Sequence, residues 1–185
     1  MIIGLTGRNG AGKGTVADWL VAHGLRYTSL SDELRADLRR RGLEPTRDNL
    51  IAGGRRLREE GGAGVLATLV LQSIDRDGGP AIVDSVRNPA EVEVLRQRPD
   101  FRLLDVRADR RVRYERIRAR ARSGDAESFE EFVRHEEAEL HSQDVAAQRL
   151  VATAALADLH IDNDGDMDAL DAALRAMFPE LAPPA

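Results

Sequence analysis

Residues 2–20 constrain this chain more than any other stretch. The apolar run Ile2-Ile3-Gly4-Leu5-Thr6 leads into Gly7-Arg8-Asn9-Gly10-Ala11-Gly12-Lys13-Gly14-Thr15, and an apolar-periodic segment opens at Val16. That order predicts strand, loop and helix, with glycines at 7 and 12 and a lysine at 13 in the spacing of a phosphate-binding loop. The spacing has a mechanism. Glycines let successive backbone N–H groups turn inward around a polyphosphate, while the new helix turns its unsatisfied amides and positive dipole end toward the same charge. Lys13 then reaches the terminal phosphates. Gly14 holds the position at which such loops carry a magnesium-binding hydroxyl, so the metal candidate is Thr15, one residue later.

The only lysine of the chain is Lys13; every other one of its 27 basic residues is arginine. A compact ammonium between phosphates does what a planar guanidinium does less well. The 185 residues, 42% hydrophobic and 32% charged, fit one domain able to bury a sizeable core. A net charge of −5 leaves no footprint for sequence-independent nucleic-acid binding. The absence of cysteine excludes a disulfide scaffold, a thiol nucleophile and cysteine-ligated zinc. No apolar run approaches the ~20 residues of a membrane span, and Met1 leads straight into the first strand without a basic leader. The expectation is a cytoplasmic protein with neither a membrane nor a nucleic-acid partner.

Strands are predicted at residues 2–6, 25–30, 81–84, 101–106 and 158–162, with helices between them. The first helix, at residues 14–23, carries Val16, Ala17, Leu20 and Val21 on one stripe, with Trp19 packed beside it. Ser31 is the expected N-cap of a helix running to about residue 41. Two helical pieces separated by Gly61-Gly62-Ala63-Gly64 follow. Pro89 opens another helix, and residues 110–122 form an arginine-rich one. Ser128 and Glu131 have capping-box spacing, and residues 179–185 read as a frayed tail. Alternating strands and helices call for a parallel sheet covered on both faces, with ligands gathering at the carboxyl ends of its strands. The phosphate loop, Asp32, Arg35, Asp84 and Arg87 should converge there.

These residues resemble the P-loop nucleoside monophosphate kinases. Gly10-Ala11-Gly12-Lys13-Gly14-Thr15 is similar to the loop of adenylate kinases, and Ser31-Asp32-Glu33-Leu34-Arg35 resembles that family's acceptor-holding segment. The resemblance implies that Arg35 and Arg87 grip the acceptor phosphate and that Asp84 contacts Mg2+ through water. Residues 110–135 resemble a short mobile lid, with Arg116 near the donor base and Arg120 near the transferring phosphate. The implied fold is an α/β P-loop NTPase three-layer sandwich on a five-stranded parallel sheet. Its core spans residues 1–30, 78–109 and 140–178, and its acceptor-binding helices about 31–77. The segment 157–165, and Asp84, Arg87, Asn88 and Glu91, are more similar to dephospho-CoA kinases.

The resemblance implies ATP and Mg2+ as cofactors. Residues 7–15 hold the donor, Ser31, Asp32, Arg35, Asp84 and Arg87 the acceptor, and Thr15 and Asp84 the metal. Lys13, Arg87, Arg116, Arg120 and Asp32 carry the transfer. The expected reaction moves the γ-phosphate of ATP to a nucleoside monophosphate or similar nucleotide, in a monomer or homodimer. The alternatives are a dephospho-CoA kinase, with a hydroxyl acceptor, and a non-catalytic ATP-binding regulatory module.

Overall fold

Side chains alternate along the first strand, β1 (Ile2–Thr6), and this decides the layering. Ile2 enters one apolar cluster while Ile3 and Leu5 enter a second, as a strand buried on both faces requires. The computed structural model describes residues 1–120, 128–141 and 145–181. After β1 the order is α1 (Lys13–Ala22), β2 (Arg26–Ser29), α2 (Leu30–Arg40), α3 (Arg47–Gly61), α4 (Val65–Asp77), β3 (Ala81–Asp84) and α5 (Pro89–Leu95). Then come β4 (Phe101–Arg107), α6 (Arg110–Arg120), α7 (Phe129–His141), α8 (Val145–Ala155), β5 (Leu159–Asp162) and α9 (Met167–Met177).

The five strands form one sheet in the order β2-β3-β1-β4-β5, and each neighbouring pair is parallel. One face is covered by α2 to α5 through Leu34, Leu57, Val70, Ile74 and Val92. The other is covered by α1 and α9 through Val16, Leu20, Leu170 and Leu174. Gly4 has a packing reason: a Cβ there would lie 2.8 Å from the Phe101 ring. A third cluster, Tyr114, Ile117 and Phe132 with Phe129 against it, ties α6 to α7 apart from the sheet. Within it Tyr114 and Phe129 meet edge to face, with ring centroids 5.4 Å apart.

The strand and helix order follows the sequence expectation, with three local corrections. The N-cap of α2 is Ser29, whose Oγ accepts from the Ser31 amide at 3.1 Å. Its backbone is still extended, as a cap requires, so the helix opens at Leu30 and Ser31 lies inside it. Val21 is exposed on α1, because Trp19 takes the buried position against α9. There its Nε1 donates to Asp171 at 2.7 Å, and its ring stacks on His23. Residues 179–181 form a 3-10 turn, with Leu181 packed on the second cluster, and are not frayed. The end of the arginine run at Arg122, and the break at Ser123-Gly124-Asp125, lie outside the described residues. Among the described residues no helix is long and apolar enough to cross a membrane.

Candidate functional site: a phosphate loop facing a basic cleft

The loop between β1 and α1 is held open by two close approaches that exclude side chains. Gly7 and Gly12 have φ of 133° and 93°. A Cβ on Gly7 would overlap the Val106 carbonyl oxygen, and one on Gly12 would overlap the Asn163 amide nitrogen. Gly12 is also the N-cap of α1 and brings no side chain to cap its amides, and the first turn carries no acidic residue. The helix therefore presents bare N–H groups to the cleft, which fits an anion.

Lys13 folds back over this opening. Its Nζ donates to the carbonyls of Gly7 at 2.7 Å and Arg8 at 3.1 Å. Burial, then the positive charge of Arg87, lowers its pKa from 10.5 to about 8, although Asp84 and Asp105 pull the other way. A lysine whose charge is under-compensated in the free protein is poised to gain from a polyphosphate.

Three acidic groups stand around the loop. Asp84 ends β3, accepting from the Ser85 amide at 2.6 Å and the Tyr27 hydroxyl at 2.9 Å. Burial and the Asp84 carboxylate push the Tyr27 phenol up to about 12. Ser85 follows in the left-handed region at φ 68°, turning the chain so that Val86 buries fully and Arg87 stays exposed. Asp105 on β4, paired in register with Thr6, is buried and accepts from Arg107 Nε at 2.7 Å. The Thr6 hydroxyl beside the loop is buried without a partner. Glu91 is the third: its Oε2 accepts from the amides of Arg87 at 2.9 Å and Asn88 at 3.1 Å, and it closes a capping box with Asn88. Burial pushes the Glu91 carboxyl up.

The donor set fits Mg2+ arriving with a polyphosphate. Asp84 and Asp105 are hard oxygen donors felt by Lys13, and Thr15 sits in the first turn of α1. Among the described residues no three acidic or histidine side chains form a cage. This suits an ion that keeps waters and shares phosphate oxygens.

The arginine-rich helix α6 is not a uniformly solvated face. Arg113 is buried and pairs with Glu136 of α7 at 2.5 and 2.8 Å, and its guanidinium also reaches the Asn9 carbonyl at 3.4 Å. Arg8 and Arg110 approach the same carboxylate, each at 3.4 Å. Burial raises the Glu136 pKa, but the hydrogen bond and charge of Arg113, with Arg8, outweigh it and hold the carboxyl below its usual range. Arg116 reaches the Ala11 carbonyl at 3.5 Å and Arg120 the Asn9 side chain at 2.9 Å. Basic α6 is thus docked on the phosphate loop.

A cavity of about 1070 Å³ joins Gly7, Asn9 and Lys13 of the loop to Arg87. Of the expected acceptor residues, only Arg87 lines it. Arg35 lies on α2, its guanidinium taken by Asp32 at 2.7 Å, and both side chains face solvent. Ser31, Asp84, Arg116 and Arg120 stand outside the lining. The sequence reading missed Asp105, Arg113 and Glu136, which line the cavity. Only Asp105, a carboxylate in a buried strand, carried a signal that could have found it.

A family model described as an AAA domain matches residues 3–140. A UPF0200 protein of Methanothermobacter thermautotrophicus is 36% identical over 142 residues, 76% of this chain and 72% of the relative. The chain belongs to the UPF0200 family. The UPF0200 protein of Pyrococcus abyssi is 34% identical over 170 residues, 89% of this chain and 88% of that protein. Among solved structures, the shikimate kinase of Bacteroides thetaiotaomicron superposes with a TM-score of 0.62 at 14% identity, covering 98% of each chain. At that identity the likeness shows the fold, which is that of the P-loop kinases, and this UPF0200 chain shares it from end to end. The resemblance to nucleoside monophosphate kinases holds at this level of the P-loop fold.

Proposed function

We propose that this UPF0200 protein is a phosphotransferase that moves the γ-phosphate of ATP to a small nucleotide-like acceptor, with a nucleoside monophosphate as the leading class. The observation that carries the reading is a cavity lined both by Gly7, Asn9 and Lys13 of the loop and by Arg87. A module that only sensed ATP would need no second cation facing its loop.

Phosphoryl transfer asks the protein for position and charge compensation more than for covalent chemistry. The amides of α1 and the loop hold the β- and γ-phosphates in place, and Lys13 neutralises charge on the transferring group. Asp84 and Thr15, with Asp105 nearby, would hold Mg2+, which would supply Lewis-acid compensation of the phosphate charge. Arg87 orients the acceptor in line with the γ-phosphate. Arg116 and Arg120, already against the loop, close over the donor and exclude water that would otherwise take the phosphate.

The hydroxyl-acceptor reading needs a base, and Asp32 is the residue the resemblance offers. Asp32 is occupied by Arg35 on an exposed helix face, which favours an acceptor that is already anionic. The test measures ADP formation by the purified protein with Mg2+·ATP against nucleoside monophosphates, nucleosides and a dephospho-CoA-type hydroxyl acceptor. ADP release that rises at least tenfold with one phosphate-bearing acceptor supports the reading. Stimulation by the hydroxyl acceptors alone selects the alternative, and ATP binding without stimulation by any acceptor selects the regulatory module.

A further inference from the structure

The cavity has a second basic wall. Arg58 of α3 and Arg149 of α8 line it together with Arg87. Resting on the kinase reading, we infer that Arg58, Arg87 and Arg149 form the acceptor subsite, and that the acceptor is a phosphate monoester whose apolar or planar body lies on α8.

Four observations carry this. Arg58 donates from one Nη to the Gly54 carbonyl at 3.1 Å, which fixes the side chain, yet its Nε is buried with no partner. The side chain as a whole stays 37% exposed, so its Nη2 can still meet an anion. Arg58 and Arg87 also share a neighbour, Glu91, whose side chain is 3% exposed. Glu91 lies 3.9 Å from Arg58 Nη2, while its other oxygen takes the Arg87 and Asn88 amides. It therefore holds the Arg87 backbone and stands beside the Arg58 fork without hydrogen-bonding either guanidinium.

The third observation is placement. Arg87 bonds Glu91 through its amide, Glu91 in turn meets Arg58, and Arg87 is near enough to Lys13 to act on its charge. An anion on the Arg58 and Arg87 forks is thereby set next to the phosphates that Lys13 holds. The fourth is the wall of α8 beside Arg149, formed by Leu150, Val151 and Ala154, where Val151 leaves apolar surface 49% exposed. Two guanidiniums beside one carboxylate already committed to amides, with a third lining the same cavity, call for a dianion, and forks bind phosphate oxygens in pairs. An apolar face beside them suits a base or another flat group.

The test is calorimetric titration of ribose 5-phosphate into protein loaded with Mg2+ and a non-hydrolysable ATP analogue, with ribose and ribonate as the neutral and carboxylate arms. The expected order is phosphate ester, then carboxylate at least tenfold weaker, with ribose undetectable. Arg58→Ala and Arg149→Ala should each weaken the ester at least tenfold and change analogue affinity less than twofold. Arg149→Ala removes an exposed side chain and keeps the test valid if Arg58→Ala fails to fold. Arg58→Lys, which keeps the charge and loses the fork, should also weaken the ester. The same titration on nucleotide-free protein supports the subsite if the ordering holds, even where failure of the analogue to bind overturns the kinase reading. Unchanged ester affinity in Arg58→Ala and Arg149→Ala, or equal binding of ester and ribose, overturns the inference.

Discussion

Raising the pH should weaken nucleotide binding through Lys13 alone. Burial and Arg87 depress this lysine to about 8 in the free protein, and a bound polyphosphate brings several negative charges to its Nζ. These return its pKa toward the ordinary value of about 10.4. The bound state then carries a proton that the free state has begun to lose, so affinity falls as pH rises through 8. Between pH 7 and pH 9 the weakening should be about tenfold, or ~1.4 kcal/mol. Calorimetry of a non-hydrolysable ATP analogue in buffers of different ionisation enthalpy should show uptake of about half a proton at pH 8. In Lys13→Ala the pH slope should vanish. The ligand-free protein should gain stability from about pH 8 to about 10.5, since the unfolded chain binds more protons there. Affinity that stays flat from pH 7 to 9, with no proton uptake, would refute the argument.

Glu136→Gln should destabilise the protein by roughly 3 kcal/mol, because it leaves the buried Arg113 guanidinium without its counter-charge; chemical denaturation at pH 7 measures it. The Glu136 pKa is depressed in the folded state. This stability is therefore present above about pH 4.5 and lost as pH falls through the folded value, and the variant should show a shallower acid limb. Asp32→Asn should lower kcat by no more than about tenfold, because its carboxylate faces solvent and Arg35. A thousandfold loss of kcat at unchanged ATP affinity would instead make the acceptor a hydroxyl.

The strand, loop and helix of residues 2–20 were legible because their determinants are local: apolar alternation, glycines where side chains would collide, and a helix whose first turn holds no acid. The sheet followed from the rhythm of strands and helices. Ser31 reads as the cap and Ser29 as the strand's end; only the extended backbone at Ser29 decides which serine caps. Trp19 is expected to pack and does, and its anchor is long-range, the bond to Asp171 across 152 residues; Val21 is expected on the buried stripe and is exposed. Glu136 reads as one acid among several on a polar helix face, and its role exists only where α7 meets α6. Arg58 and Arg149 share that limit: periodicity says which face a residue takes and is silent about which neighbour meets it.

Acceptor-dependent phosphate transfer is the expected behaviour of the cavity. It is tested most directly by following the label of γ-32P-ATP in wild type and Lys13→Ala, with and without a phosphate-bearing acceptor. Label should appear in an acceptor-dependent organic phosphate in wild type and fall by at least a hundredfold in the variant, with the fold intact by circular dichroism. Label released only as inorganic phosphate, at one rate with or without acceptor, or transfer within a few-fold in Lys13→Ala, would contradict the account.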